Sequence, residues 1–158
     1  MKTYFLKFTQ NLPITLDEAW DFFSSPHNLA RITPPQMNFI VTSTYNGDAK
    51  MYPGMIITYK VSPLFGIQMN WMTEITHVQD KVYFVDEQRF GPYALWHHQH
   101  HFKEIPGGVE MTDLLHYAIP YGPIGRITNK ILVGKQVKKV FEFRTKAVEE
   151  IFGKYTGK

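Results

Sequence analysis

The hydrophobic period of this chain changes once, at Tyr121-Gly122-Pro123, and that change restricts the available folds more than any other feature. Downstream of it, Ile124, Ile127, Ile131, Val133, Val137, Val140, Phe141, Val148, Ile151 and Phe152 recur at three- and four-residue steps. Lys and Glu occupy the positions between them. The spacing predicts one long amphipathic helix ending near Gly153, with the whole apolar stripe turned to the core. Gly134 interrupts it at a cost in helix propensity, which implies close approach of the sheet or of a bound molecule there.

Upstream the period is two. Residues 4–10 read as a first strand. Thr15-Leu16-Asp17-Glu18 comes next with the pattern of a capping box, in which Thr15 caps and Glu18 reaches back. The helix it opens carries Ala19, Trp20, Phe22 and Phe23 toward the core. Ser25-Pro26 marks a second helix start, a cap with proline in the first position, running through Leu29 and Ile32 and stopping before Thr33-Pro34-Pro35. Strands are then expected at 39–45, 55–61, 67–78, 82–90, 93–105 and 109–119, broken at Asn46-Gly47-Asp48, Ser62-Pro63 and Pro106-Gly107-Gly108.

Seven strands joined mostly by short turns imply a meandering antiparallel sheet. A single helix covers only one face of such a sheet. Strong curvature around the helix would bury the stripe and one sheet face, the two early helices would close an end, and a space would remain between sheet and helix. The chain of 158 residues reads as one α+β domain spanning residues 1–158.

Composition excludes several functions. There is no cysteine, so disulfides, thiol catalysis and thiolate metal sites are absent. The net charge of +3 is modest. The cationic cluster Lys135, Lys138, Lys139, Arg144 and Lys146 reads as a solvated helix face, because no aromatic platform or nucleic-acid motif accompanies it. The N-terminus alternates polar and apolar residues, unlike a signal peptide, and no run reaches membrane-spanning length. A cytoplasmic protein is expected, monomeric or homodimeric, without nucleic acid or integral membrane association.

Several ordered stretches carry a resemblance. The first are Leu12-Pro13 with Ala19-Trp20-x-Phe22-Phe23-x-x-Pro26-x-Asn28-Leu29-x-x-Ile32-Thr33-Pro34, and Pro63-Leu64-Phe65-Gly66-Ile67 with Trp71-x-Thr73-x-Ile75. Then come Phe84-Val85-Asp86-Glu87-Gln88 with Gly91-Pro92-Tyr93, Trp96-x-His98-x-His100-x-Phe102, Met111-Thr112-Asp113, and Tyr117-x-x-Pro120-x-Gly122-Pro123-x-Gly125. Together they resemble the START-like superfamily, also called SRPBCC, which includes polyketide cyclases and birch-pollen-allergen-like proteins. The similarity is greatest to its small bacterial ligand-binding members, often labelled "cell division inhibitor". The resemblance implies a helix-grip fold, a curved seven-stranded antiparallel sheet around a long C-terminal helix, enclosing a deep cavity. A fold shared by carriers, receptors and cyclases sets only a prior for function.

Strand parity sorts the candidate site residues. Four histidines fall within Leu95-Trp96-His97-His98-Gln99-His100-His101-Phe102. Alternation puts Trp96, His98, His100 and Phe102 on one face, flanked by rings and expected inward. His97 and His101 fall on the solvated face with Gln99 and Lys103. In 109–119 the more apolar set contains Asp113 and Tyr117, and the turn between the last two strands sets His100 near Asp113. In 82–90, Phe84, Asp86, Gln88 and Phe90 share the inward parity, and in 67–78 Trp71, Thr73 and Ile75 do. The expected ligand-binding set is therefore Trp71, Thr73, Asp86, Gln88, Trp96, His98, His100, Phe102, Asp113 and Tyr117.

Three functions use such a set. The first is binding of a small hydrophobic molecule (lipid, sterol, isoprenoid or polyketide-like), entering between the 62–66 turn and Gly122 to Gly125, with His98 and His100 at its polar end and no cofactor. The second is a cyclase, dehydratase or isomerase with His98 or His100 as general base, Asp113 orienting it and Tyr117 donating a proton. The third is a zinc site on His98 and His100, completed by Asp113 or Asp86. Binding demands least of the residues and is the leading expectation. No Gly-x-Ser-x-Gly element supports a serine hydrolase.

Overall fold

Alternating side chains become strands whose alternate residues are buried: in the last strand Val109, Met111, Asp113, Leu115 and Tyr117 point inward and are enclosed. The computed structural model describes residues 2–44, 50–63 and 66–157. Its strands are β1 (Tyr4–Leu12), β2 (Ile40–Val41), β3 (Met55–Val61), β4 (Met69–Gln79), β5 (Tyr83–Phe90), β6 (Leu95–Ile105) and β7 (Gly108–Ala118). They form one antiparallel sheet in the order β1-β7-β6-β5-β4-β3-β2. The first strand thus lies beside the last, and every other neighbour is a meander step. The helix-grip architecture expected from the resemblance is the one observed.

Two helices come after β1. Helix α1 (Leu16–Phe23) begins with the capping box, Thr15 Oγ1 accepting from Glu18 N at 3.2 Å and Glu18 Oε2 accepting from Thr15 N at 2.8 Å. It buries Ala19, Trp20, Phe22 and Phe23, and Trp20 meets Phe84 and Phe102 edge-on. Helix α2 (Pro26–Leu29) passes into a 3-10 turn at Ala30–Ile32, and a second 3-10 turn covers Pro35–Met37. Ser25 stands at the N-cap of α2 but makes no side-chain capping bond. The strand expected at 39–45 pairs only at Ile40–Val41, continued by Thr42 N and Ser43 N donating to Thr58 O. Residue 45 and the turn at Asn46-Gly47-Asp48 lie outside the described residues, as do Leu64 and Phe65.

The C-terminal helix corrects the sequence reading in its first third. It runs as α3 (Gly122–Thr128), a π segment (Asn129–Val133) and α4 (Gly134–Phe152). A π turn carries an extra residue, which rotates the stripe of α3 by about 100° relative to that of α4. Ile124, Ile127 and Ile131 consequently face out, at 70%, 61% and 63% exposure, although the period assigns them to the core. The inward side of α3 is instead small and polar: Gly125 sits against the Pro120 carbonyl and Asn129 is buried. Beyond these residues, Val133, Val137, Phe141 and Val148 are buried as the spacing requires, and Ala147 is buried beside them.

Gly134 explains itself by the sheet. A Cβ there would lie 3.4 Å from the Tyr117 hydroxyl and 3.0 Å from the Asn129 carbonyl. Phe141 anchors the helix on β1, its ring stacked on Phe8 at 4.2 Å with 4° between planes. Urea unfolding should separate the two helical faces. Phe141→Ala should cost about 3–5 kcal/mol, as for a fully buried aromatic. Ile131→Ser should change stability by no more than about 0.5 kcal/mol, as for an exposed site.

Candidate functional site

The cavity left between sheet and helix has a volume of about 140 Å³. Strands β3 and β4 supply Ile57, Tyr59, Val61, Trp71, Thr73 and Ile75, and the early helices and the turns after them supply Phe22, Phe23, Leu29, Ile32, Thr33 and Met37. Helix α4 closes it with Gln136, Val137, Val140, Phe141 and Arg144. One wall is a run of contacting rings: Phe39 on Tyr59 at 4.6 Å, Tyr59 on Trp71 at 5.8 Å, and Trp71 on both Tyr93 and Trp96 at 5.4 Å. These aromatic side chains contribute large apolar area with few rotamers to freeze.

The polar floor comes from β5, β6 and β7. Cross-strand pairing sets Asp86 opposite His98 and His100 opposite Asp113. The four side chains close into a ring. His98 Nε2 lies 3.1 Å from Asp113 Oδ1, and its Nδ1 lies 3.4 Å from Asp86 Oδ2. His100 Nε2 lies 2.9 Å from Asp86 Oδ2, and its Nδ1 is 2.8 Å from Asp113 Oδ1. That last contact is out of line for a hydrogen bond and acts through charge. The imidazoles lie 3.9 Å apart, each presenting both nitrogens to carboxylates. With both imidazoles protonated and both carboxylates ionised, the ring is neutral.

Opposing effects act on each member. Burial disfavours the His98 imidazolium, but the Asp86 charge and the hydrogen bonds to Asp113 and Asp86 outweigh it and raise the pKa to about 9. Burial likewise works against the carboxylates, yet the imidazoles hold Asp86 and Asp113 well below the usual carboxylate range. His98 is therefore a cation at neutral pH, with its protons committed to carboxylates. Asp86, His98 and His100 also bring ligand atoms within 4.8 Å of one another, close enough to converge on a metal ion.

The sequence-derived set divides. Trp71, Thr73, Asp86, Trp96, His98 and His100 line the cavity. Asp113 holds the ring from behind, on the side of a smaller recess shared with Gln10 and Arg144. Phe102 packs into the core with Trp20 and Phe84. Tyr117 stacks on Tyr4 at 5.3 Å, beneath the helix, where burial raises its pKa despite a hydrogen bond to Asn129. Gln88 is withdrawn from the cavity: its Nε2 donates to Tyr93 O at 2.7 Å and its Oε1 accepts from Tyr93 N at 3.2 Å, clamping the β5–β6 turn. Phe90 shares its parity and is exposed.

Of the segments expected at the mouth, Pro63 lies in the cavity wall, whereas Gly122 to Gly125 are not among its lining residues; Ser25, Pro26 and Leu29 are. On the outer face His97, half-buried, meets Glu87 Oε1 at 2.7 Å and His101 bonds Gln99 Oε1 at 2.9 Å, so the outward pair is tied into a lateral network.

Arg144 is the residue that sequence reasoning misplaces. Grouped with Lys135, Lys138, Lys139 and Lys146 as a solvated face, it is half-buried and lines the cavity, whereas the four lysines are exposed. Its position is legible in the spacing: Val137, Phe141, Arg144 and Val148 fall at steps of four, three and four along the buried stripe.

The fold is that of START-like helix-grip proteins. A START superfamily protein from Mycobacterium smegmatis superposes with a TM-score of 0.66 at 10% identity, over 93% of this chain and 98% of the other. The ginseng major latex-like protein 151 from Panax ginseng does so with a TM-score of 0.68 at 14% identity, over 95% and 97%. Ara h 8.0201 gives 0.65 at 13% identity, over 96% and 98%. No protein-family profile and no curated protein matches the sequence. Among the described residues, no helix is long and apolar enough to cross a membrane.

The ring links stability to pH. The His98 pKa lies above its ordinary value of 6.5, so its contribution is complete below about pH 6.5 and is lost as pH rises through about 9. Asp86 and Asp113 lie below their ordinary value of 3.8, so their contribution is complete above it and is lost on acidification. Thermal melts across pH should show a plateau from about pH 4.5 to 6.5 and a decline toward pH 9. In His98→Gln the alkaline decline should flatten.

Proposed function

We propose that the chain binds a small, largely apolar molecule of the lipid, sterol, isoprenoid or polyketide-like kind in this cavity. The observation that carries the reading is an aromatic-walled space between sheet and helix, at the place where a packed core would otherwise close. A fold shared with START-like proteins supports it. The ring nitrogens of His98 and His100 lie against Asp86 and Asp113, so these residues would offer a ligand mainly ring surface above a rigid floor. That arrangement favours binding over acid-base catalysis. A general base needs a free lone pair near the operating pH, and His98 has a pKa near 9 and no free nitrogen.

The convergence of Asp86, His98 and His100 supports metal binding as a second reading. A metal would have to displace the ring protons, whereas charge pairing accounts for the same contacts unaided. Native mass spectrometry of purified protein, with identification of the molecule released on denaturation, tests the first reading. A stoichiometric, chemically unchanged apolar compound is expected; its conversion to a product on incubation would make the protein an enzyme. An untagged sample should show no rise in melting temperature with equimolar zinc, and a clear rise would favour the metal.

A further inference from the structure

Building on the cavity-binding reading, we propose that the ligand is an anion: a compact monocarboxylate whose head docks on the Arg144 guanidinium and which carries or shares an oxygen for the Trp71 indole.

Donor-only groups of the cavity wall are left unmet. Tyr59 and Thr73 satisfy each other at 2.7 Å, Thr33 donates to Leu29 O at 2.7 Å, and the imidazoles face their carboxylates. Among the described residues, three wall atoms are buried without a hydrogen-bond partner, Trp71 Nε1, His100 Nδ1 and Arg144 Nε; His100 Nδ1 lies against Asp113 out of line, and the other two are donors with nothing facing them. An indole N–H can only donate, and a guanidinium stays charged at every physiological pH.

Arg144 projects from the inward stripe of α4, one turn beyond Phe141, with its Cζ 5.0 Å from the Phe141 ring. Among the described residues no carboxylate reaches it within ion-pairing distance. The two acids on the floor, Asp86 and Asp113, are already engaged by His98 and His100. A buried guanidinium N–H with no acceptor is costly unless something else supplies one.

Neutral hydrocarbon would leave both donors unmet, and a lone hydroxyl would leave most of the guanidinium fork unused. A carboxylate matches that fork in plane and charge. A cavity of about 140 Å³ suits a single short chain or a compact ring system.

The test compares octanoic acid with methyl octanoate at pH 7.5, read by tryptophan emission, since Trp71 and Trp96 both line the cavity. The full chain should bind the acid on the order of tenfold to a hundredfold more tightly, as a charge-assisted pair gives. Arg144→Gln should abolish the preference, bringing acid and ester to similar affinity, with the far-UV circular dichroism spectrum and melting temperature checking that the variant folds. Arg144→Lys, keeping charge without the fork, should retain part of the preference.

Equal affinity for acid and ester in the unmodified chain overturns the anion assignment and leaves the cavity reading in place. A preference that survives in Arg144→Gln overturns the role of Arg144. Binding of neither probe overturns the cavity reading and this inference with it.

Discussion

Four ionisable groups buried in an apolar interior are tolerable only if each faces its opposite, and the arrangement of Asp86, His98, Asp113 and His100 meets that condition. Their contacts at 2.8 to 3.4 Å tie the adjacent strands β5, β6 and β7 together. A one-residue slip between any two of these strands would swing half the ring to the opposite face and leave the rest uncompensated. The ring thus specifies register as well as filling space. It provides a floor that cannot be rearranged cheaply, and the aromatic wall and the helix are set against it.

Two kinds of polarity then meet in one cavity. The floor is largely self-paired, each imidazole nitrogen lying against a carboxylate. The wall is not: Trp71 and Arg144 hold donors without acceptors. On the proposed reading, a ligand's polar group would meet the helix and β4, while the histidines hold shape. Helix α4 contributes because its buried stripe includes one cation among valines and phenylalanine. The exposed isoleucines of α3 take no part in this arrangement.

Much of this is legible in the sequence, and the failures have physical causes. Strand parity places Trp71, Thr73, Asp86, Trp96, His98 and His100 on the cavity face, because alternation has no slack once one face is buried. Parity cannot foresee Gln88, whose amide is short enough to clamp the Tyr93 backbone across its own turn. It also cannot separate Asp113 and Tyr117, which point inward, from residues that reach the cavity itself. The π segment has no signature in composition, so the helical period extends one segment too far and assigns Ile124, Ile127 and Ile131 inward. Arg144 fails for the opposite reason: its phase in the stripe is correct, but its charge masks its position.

The whole arrangement depends on His98 being held as a cation between two ionised carboxylates. Long-range proton–nitrogen correlation NMR of the imidazole nitrogens, recorded from pH 5 to pH 10, tests it most directly. His98 should carry protons on both nitrogens at pH 7 and lose one only near pH 9. A His98 ring that titrates near 6.5, like a solvated imidazole, would contradict it.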